Sequence, residues 1–269
     1  MTHSLSFWTA LVYGAVQGLT EYLPVSSSAH LILLPRFLGI SEPGLTFDVF
    51  LHAGTLCATL LYFRREWVSI FKTLLAPRAQ TGIGWVQVTL ACIPVLVVGA
   101  LGREWISEHL RGTRSVAWGL IVGGVLLYLA DRVASVSKKE RTEAGLESRD
   151  ALGVGIFQCL ALWPGMSRSG STILGARLLG FSRQSAARFS FLVSAPVTAA
   201  ALVFELRHWG ELMSGLGDSG VSTVLVAGVS SFVFGWLAID GLIRWVSRFS
   251  LGWFSLYRIL LGAALILYF

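Results

Sequence analysis

Charged residues are scarce in this chain of 269 residues, since Asp, Glu, Lys and Arg make up only 13% of it and hydrophobic residues 54%. A soluble globular domain carries about a quarter charged residues, so the composition excludes a water-facing surface over most of the chain. Nucleic acid is not an expected partner despite the net charge of +6, because most Lys and Arg lie in short connections between apolar runs. The scarcity of charge predicts an all-α polytopic membrane protein surrounded by membrane lipid.

Cysteine is also scarce, with Cys57, Cys92 and Cys159 far apart in apolar stretches. No two of them are close enough in sequence to indicate a metal knuckle or a redox motif, so all three are interpreted as packing residues. The N-terminal segment lacks Lys and Arg before its first apolar run and lacks a small-residue cleavage pattern, so no removable signal peptide is expected. Long polar stretches are missing too, except at residues 131–150, which are interpreted as a solvated linker.

Apolar runs occur about ten times along the chain, but several are too short to cross a bilayer alone. A bilayer core of about 30 Å needs roughly 20 apolar residues in a helix, and the runs after Pro24 and Pro164 have about a dozen. Each of these two runs is therefore expected to form a re-entrant helix pair with the run before it. The chain as a whole is predicted to have about six spanning helices plus two re-entrant helix pairs.

The two halves of the chain are similar to each other at an offset of about 141 residues. The residues that coincide at this offset are Gly14 with Gly155, Gln17 with Gln158, Ser28 with Ser169 and Gly39 with Gly180. Each half is expected to cross the membrane an odd number of times, which gives an inverted-topology repeat. The predicted domains are a first membrane repeat over 1–130, a cytoplasmic linker over 131–150 and a second, inverted repeat over 151–269.

Basic residues are unequally divided between the two sides of this topology. Most Lys and Arg fall in the connections on one side, including residues 64–84 and 131–150, and few in those on the other, including 102–114 and 207–220. The positive-inside rule makes the first side cytoplasmic. Both termini are then predicted to lie outside.

The first helix break contains polar residues on both sides of a proline: Gln17, Glu21, Pro24, Ser26, Ser27, Ser28 and His30. Gln17 and Glu21 are four residues apart and therefore share one helical face. After Pro24 the serines can cap a new helix, whose free N–H groups and positive dipole end favour an anion. His30 lies one turn beyond Ser27, so the two side chains face the same volume.

The second break also has a proline followed by hydroxyl side chains, but its charged residue is the positive Arg168. Its residues are Pro164, Gly165, Ser167, Arg168, Ser169, Gly170 and Thr172. Arg168 offers a rigid fork of donors that suits phosphate oxygens, and the three hydroxyl side chains around it add further donors. In an inverted repeat the two broken helices meet near the midplane of the membrane. Glu21 and His30 from one half would then face Arg168 from the other, in one composite site.

The charged residues at these breaks also admit a purely structural interpretation. Insertion of a charged side chain at a helix centre costs roughly 2.5–3.5 kcal/mol, and such residues usually mark function. The alternative is a buried ion pair between Glu21 and Arg168, with the serines satisfying backbone groups. Glu42, Asp48 and His52 are either loop residues or residues at the rim of the site, and they are not assigned to it.

Both motifs resemble the signatures of a known family, the bacterial undecaprenyl-pyrophosphate phosphatases, also called bacitracin-resistance proteins. QGLTEYLPVSSSAH is similar to (E/Q)xxxE followed by PVSSxxH, and PGMSRSGST is similar to PGxSRSxxT. The resemblance extends to FDVFLHAGT and RFSFLVSAPV and so spans nearly the whole chain. One departure is Gln17, where many members carry Glu, and it weakens the expectation of a metal-binding carboxylate at this position.

The resemblance implies hydrolysis of undecaprenyl diphosphate, a polyprenyl diphosphate lipid, to undecaprenyl phosphate and inorganic phosphate, which recycles the lipid carrier for cell-wall synthesis. It also implies a divalent cation, Mg²⁺ or Ca²⁺, and a site that opens to the outer side of the bacterial cytoplasmic (inner) membrane. The rival interpretation is a membrane transporter or flippase of a lipid phosphate or small anion, since broken helices at the midplane are common in transporters. The sequence leaves open whether the protein forms a homodimer.

The hypothesis for the reaction assigns two groups of residues. The substrate-binding residues are Gln17, Ser26, Ser167, Ser169 and Thr172, and the catalytic residues are Glu21, Ser27, His30 and Arg168. Ser27 is the candidate nucleophile, with direct attack by His30 as the variant, and Arg168 compensates the charge on the phosphate. Glu21 serves as metal ligand or base, and His30 as proton shuttle.

Overall fold

The computed structural model describes residues 6–40, 45–75, 82–136, 140–216 and 220–268. These residues are almost entirely helical and form no named strand. Twelve α-helices lie in these ranges: α1 Phe7–Tyr22, α2 Ser27–Leu38, α3 Leu45–Tyr62, α4 Arg64–Leu75, α5 Trp85–Leu110, α6 Thr113–Val136, α7 Ser148–Gln158, α8 Arg168–Leu178, α9 Arg183–Glu205, α10 Trp209–Leu216, α11 Gly220–Val246 and α12 Gly252–Tyr268.

Several of these helices are long and apolar enough to cross a membrane. Within the described ranges four helical segments meet this requirement: Trp85–Leu110, Thr113–Val136, Arg183–Ser214 and Gly220–Val246. α3 and α4 give a fifth if they are counted as one span, although they are bent by 77°. α12 is apolar but shorter. The prediction of an all-α multi-pass membrane protein is therefore confirmed, with four to five candidate spans.

Both predicted helix breaks are present, and each restarts at a serine with unusual backbone geometry. Ser26 has φ 73° and Ser167 has φ 67°, and elsewhere in the described chain positive φ occurs only at glycines. Each serine caps the helix that follows, because its side chain accepts from the N–H of Ala29 or of Gly170. Such backbone strain costs about 1–3 kcal/mol and tends to occur at functional sites. The restarted helices α2 and α8, with 12 and 11 residues, are too short to span a bilayer.

Glycines allow the first helix of each half to pack closely on a helix of the other half. A Cβ added to Gly18 of α1 would lie 2.6 Å from the backbone nitrogen of Gly235 in α11. A Cβ added to Gly155 of α7 would lie 2.7 Å from the carbonyl oxygen of Ala91 in α5. Small residues of this kind let helix backbones approach each other in membranes. Each half of the chain therefore packs its first helix against a helix of the other half. The breaks that follow α1 and α7 then lie inside the helix bundle.

The polar stretch at residues 131–150 is less solvated than its composition indicates, because α6 continues to Val136 and carries Asp131 into the protein. Asp131 accepts from Arg177 Nε at 3.1 Å and from Arg183 Nε at 2.7 Å. Arg141 pairs with Asp150 at 2.6 Å. Burial tends to raise the pKa of Asp150, but the hydrogen bond from Arg141 helps to lower it below its ordinary value.

Candidate active site

The two helix breaks are in direct contact in the folded chain. Glu21, at the end of α1, forms an ion pair with Arg168, the first residue of α8, which lies 147 residues further along the chain. Ser169 Oγ donates to the carbonyl oxygen of Leu23 at 3.1 Å, which joins the two breaks a second time. The Glu21 side chain is buried and that of Arg168 is 19% exposed, so a ligand can approach the guanidinium.

The Glu21 carboxylate is contacted by side chains from four helices, α1, α2, α3 and α8. Ser27 Oγ donates to its Oε2 at 2.6 Å and Gln17 Nε2 donates to the same oxygen at 3.0 Å. His52 Nε2, from α3, lies 3.3 Å from Oε2, while Oε1 faces Arg168. A hydroxyl within hydrogen-bond distance of a base, which other groups hold in place, is the arrangement that activates a serine nucleophile.

Arg168 is held in place by groups other than Glu21. Its Nη1 donates to Thr198 Oγ1 at 2.6 Å and lies 3.5 Å from the carbonyl oxygen of Ser194, both in α9. The guanidinium also stands at the N-terminal end of α8, where the helix dipole is positive. The fork and the dipole together favour an anion at this point.

The other hydroxyl groups of the two motifs mainly serve the backbone. Ser26 and Ser167 cap α2 and α8, and Ser167 also shares a 3.2 Å hydrogen bond with Ser169. Thr172 is fully buried and donates to the carbonyl oxygen of Arg168 at 2.9 Å. Ser27, by contrast, is partly exposed and bonds the carboxylate. Direct contact of the capping serines and of Thr172 with a substrate stays a prediction.

His30 lies outside the hydrogen-bonded cluster around Glu21. Its Nδ1 lies 2.8 Å from the carbonyl oxygen of Ser26 and its Nε2 lies 2.7 Å from the hydroxyl of Tyr257 in α12. Because a carbonyl oxygen only accepts, Nδ1 carries a proton, and in the neutral ring Nε2 accepts from Tyr257. Within the described residues neither ring nitrogen contacts Glu21 or Arg168. The structure thus brings Glu21, Ser27 and Arg168 together but not His30.

Three residues near the breaks are absent from the sequence-based site. His52 contacts Glu21, Tyr257 contacts His30, and Arg258 donates to backbone carbonyls of the second break. Sequence reasoning could have found His52 and Arg258, because ionisable residues inside apolar runs usually mark function. Of the other residues left unassigned, Glu42 lies outside the described part of the chain.

Metal binding can be tested against the donors that the site offers. Mg²⁺ is usually held by one or two carboxylates together with substrate phosphates and water. Glu21 provides one carboxylate, and the buried Oε1 of Gln17, one turn earlier, has no hydrogen-bond partner among the described residues. No group of three or more His, Cys, Asp or Glu side chains suited to a metal occurs in the described ranges. The donors fit a cation that takes most of its ligands from the substrate.

Comparison with known proteins assigns the chain to a family. Residues 10–264 match the family described as bacitracin resistance protein BacA. The chain is 44% identical over 265 residues to an undecaprenyl-diphosphatase of Gemmatimonas aurantiaca, with 96% of each chain covered. It is 42% identical over 266 residues to one of Geobacter metallireducens, covering 96% of this chain and 97% of the relative. The chain therefore belongs to the BacA family of bacitracin resistance proteins.

Proposed function

We propose that the protein hydrolyses undecaprenyl diphosphate to undecaprenyl phosphate and inorganic phosphate, and so returns the lipid carrier to cell-wall synthesis. The observation that carries this proposal is the 2.6 Å hydrogen bond from Ser27 Oγ to Glu21, whose other oxygen pairs with Arg168. A nucleophile, a base and a cation are thus in contact at the junction of two broken helices. Family membership and the names of the relatives support the same activity.

Substrate binding begins with an exchange of partners at Arg168. The structure pairs the guanidinium with Glu21. The terminal phosphate of the substrate offers oxygens that match the same fork, so it replaces the carboxylate as the partner. The N-terminal ends of α2 and α8 add positive potential, and the polyprenyl tail extends into the lipid. Binding thereby frees Glu21 to act as a base.

The chemical step then proceeds between Ser27 and the terminal phosphorus. Ser27 Oγ attacks phosphorus, Glu21 accepts the hydroxyl proton, and the bond from phosphorus to the bridging oxygen breaks, which releases undecaprenyl phosphate. Water then attacks the phosphorus of the phosphoserine, the bond from phosphorus to Ser27 Oγ breaks, Glu21 returns its proton to that oxygen, and inorganic phosphate leaves. Arg168 compensates the charge that develops on the transferred group.

A divalent cation, Mg²⁺ or Ca²⁺, belongs to this proposal. It would neutralise charge on the diphosphate, with Glu21 and the side-chain oxygen of Gln17 as the donors that the protein offers. The Oε1 of Gln17, to which no group in the described part of the chain donates, supports this role.

His30 is proposed as a proton shuttle that works with Tyr257. Both of its ring nitrogens are engaged, with Ser26 and with Tyr257. Direct attack requires a free nitrogen lone pair that points at phosphorus, so this hydrogen bonding favours Ser27 as the nucleophile. His30 lies one helical turn beyond Ser27 and can pass a proton to or from the site through water.

The proposed topology has about six spanning helices, two re-entrant pairs and an inverted repeat over residues 1–130 and 151–269. The two positive-φ serines support it, because Ser26 and Ser167 occupy equivalent places in the halves. The reciprocal packing of α1 on α11 and of α7 on α5 supports it as well. The excess of Lys and Arg in residues 64–84 and 131–150 supports termini and a site opening on the outer side of the bacterial inner membrane.

The decisive experiment measures phosphate release from undecaprenyl diphosphate by the purified protein in detergent. We expect turnover without any gradient, whereas a carrier of lipid phosphate would release none. EDTA is expected to abolish turnover and added Mg²⁺ or Ca²⁺ to restore it, and full activity in EDTA would contradict the metal part of the proposal.

The nucleophile is tested by matched serine variants. Ser27→Ala is expected to abolish turnover, while Ser28→Ala, at an exposed neighbour that is hydrogen-bonded to Ser26, is expected to keep it. Quenching during turnover of substrate labelled in its terminal phosphate should trap phosphoserine at residue 27. Label on His30 would transfer the nucleophilic role to the imidazole.

A further inference from the structure

Arg258, in the last helix, reaches both helix breaks from a fully buried position. Its side chain is 0% exposed. Nη2 donates to the carbonyl oxygens of Gly165 at 3.0 Å and Met166 at 2.8 Å, which directly precede the second restarted helix. Nη1 lies 3.5 Å from the carbonyl oxygen of Pro24 in the first break. One guanidinium therefore bridges the turn before Ser27 and the turn before Arg168.

The charge of Arg258 has no carboxylate to balance it in the described part of the chain. Within the described ranges its hydrogen bonds all go to backbone carbonyls, and its buried Nε has no partner there. The other fully buried arginine, Arg177, differs in this respect because it pairs with Asp131 and Glu140. An unbalanced buried cation is unfavourable, and residues of this kind in membrane helices usually mark function.

Two glycines leave the space that the guanidinium occupies. A Cβ added to Gly123 of α6 would lie 1.8 Å from Arg258 Nη2, and one added to Gly170 of α8 would lie 2.9 Å from Nη1. Any larger residue at Gly123 would push the Arg258 guanidinium away from the carbonyl oxygens that accept its hydrogen bonds. The position of Arg258 is therefore set by both neighbouring helices as well as by its own.

We propose that Arg258 is a positioning residue of the phosphatase. It holds the two turns against each other, and its positive charge, which no carboxylate pairs with in the described ranges, lies against the backbone of both turns. This inference rests on the proposed function. Ser27 and Arg168 belong to different halves of the chain, so their alignment on one phosphate depends on how the turns are joined. Misplacement by about 1 Å can cost about 100-fold in rate. The unpaired charge also makes the junction attractive to a diphosphate that neutralises it.

The test compares Arg258→Met and Arg258→Lys with the matched variant Arg177→Met. Each purified protein is assayed for kcat and KM with undecaprenyl diphosphate, and for the rise in Tm that inorganic pyrophosphate produces. We expect Arg258→Met to lower kcat about 100-fold and to lose the pyrophosphate effect, while Arg258→Lys recovers part of both because it retains the charge. Arg177→Met should lower Tm but keep kcat within about threefold, because it lies outside the junction.

Gly123→Ala displaces the Arg258 guanidinium without removing its charge, and it serves as the second variant if Arg258→Met does not fold. It should also lower kcat, and adding it to Arg258→Met should lower kcat no further, since the clash is then gone. The inference is overturned if folded Arg258→Met, or Gly123→Ala in its place, keeps kcat and the pyrophosphate effect. It is also overturned if Arg177→Met loses kcat equally. A wild-type protein without phosphate release would refute the proposed function alone, because the pyrophosphate effect would still test Arg258.

Discussion

Replacing Glu21 with glutamine tests the centre of the proposed site. The side chain keeps its size, but the charge and one acceptor oxygen are lost at a point where Ser27, Gln17 and Arg168 all donate to the carboxylate. Glutamine cannot accept the Ser27 proton. Arg168 retains Thr198 as a hydrogen-bond partner, so the variant is expected to fold.

The magnitude follows from the loss of the base. A positioned general base contributes about 10²–10⁴-fold to a rate. Since each factor of ten corresponds to about 1.36 kcal/mol, the barrier should rise by about 3–5 kcal/mol. The loss should appear in kcat, because the phosphate still binds to Arg168. KM should stay the same or fall, since Arg168 no longer has to leave a carboxylate when substrate binds.

The assay is steady-state phosphate release at saturating undecaprenyl diphosphate, with thermal unfolding as the measure of folding. Glu205→Gln is the matched control, because Glu205 is also buried, pairs with Arg103 at 2.6 Å and is hydrogen-bonded to His208 at 3.1 Å, but lies outside the helix breaks. It should lose stability and keep kcat. If folded Glu21→Gln retained kcat within about threefold of the wild type, the carboxylate would not be the base and the ion pair would be structural.

Three further variants test parts of the structure separately. Tyr257→Phe removes the donor to His30 and should lower kcat about tenfold at unchanged Tm; an unchanged rate would exclude the proposed shuttle. Asp131→Asn weakens the buried ion pair with Arg177, which lies about 14 Å along α8 from Arg168. The free energy of unfolding should therefore fall by about 3–5 kcal/mol, while the folded protein keeps kcat. Gly18→Ala should lower the free energy of unfolding by about 1–3 kcal/mol, because the added methyl group separates α1 from α11. Gly241→Ala is the control, since a Cβ there meets open space, and it should not lower the free energy of unfolding. Equal effects would contradict the close packing of α1 on α11.

Much of the architecture follows from short stretches of sequence. The low charge content predicts membrane helices, because a bilayer leaves no water to solvate charges or free backbone groups. Pro24 and Pro164 predict where helices stop, and the serines after them predict where helices restart, because a proline lacks an N–H and a serine caps free ones. These are local effects, so the sequence alone identifies both breaks and the polar residues Glu21, Ser27 and Arg168 in them, whose roles in the reaction stay predictions.

The contacts across the site depend on how the helices pack, and no local pattern determines them. His52 reaches Glu21 from α3, and Arg258 bridges two turns that are far apart in sequence. His30 turns to Tyr257, 227 residues away, instead of to Glu21. Asp131 is buried although it begins the long polar stretch at residues 131–150. In each case a side chain contacts a group that helix packing brings within hydrogen-bonding or ion-pairing distance, and these contacts exist only in the folded chain.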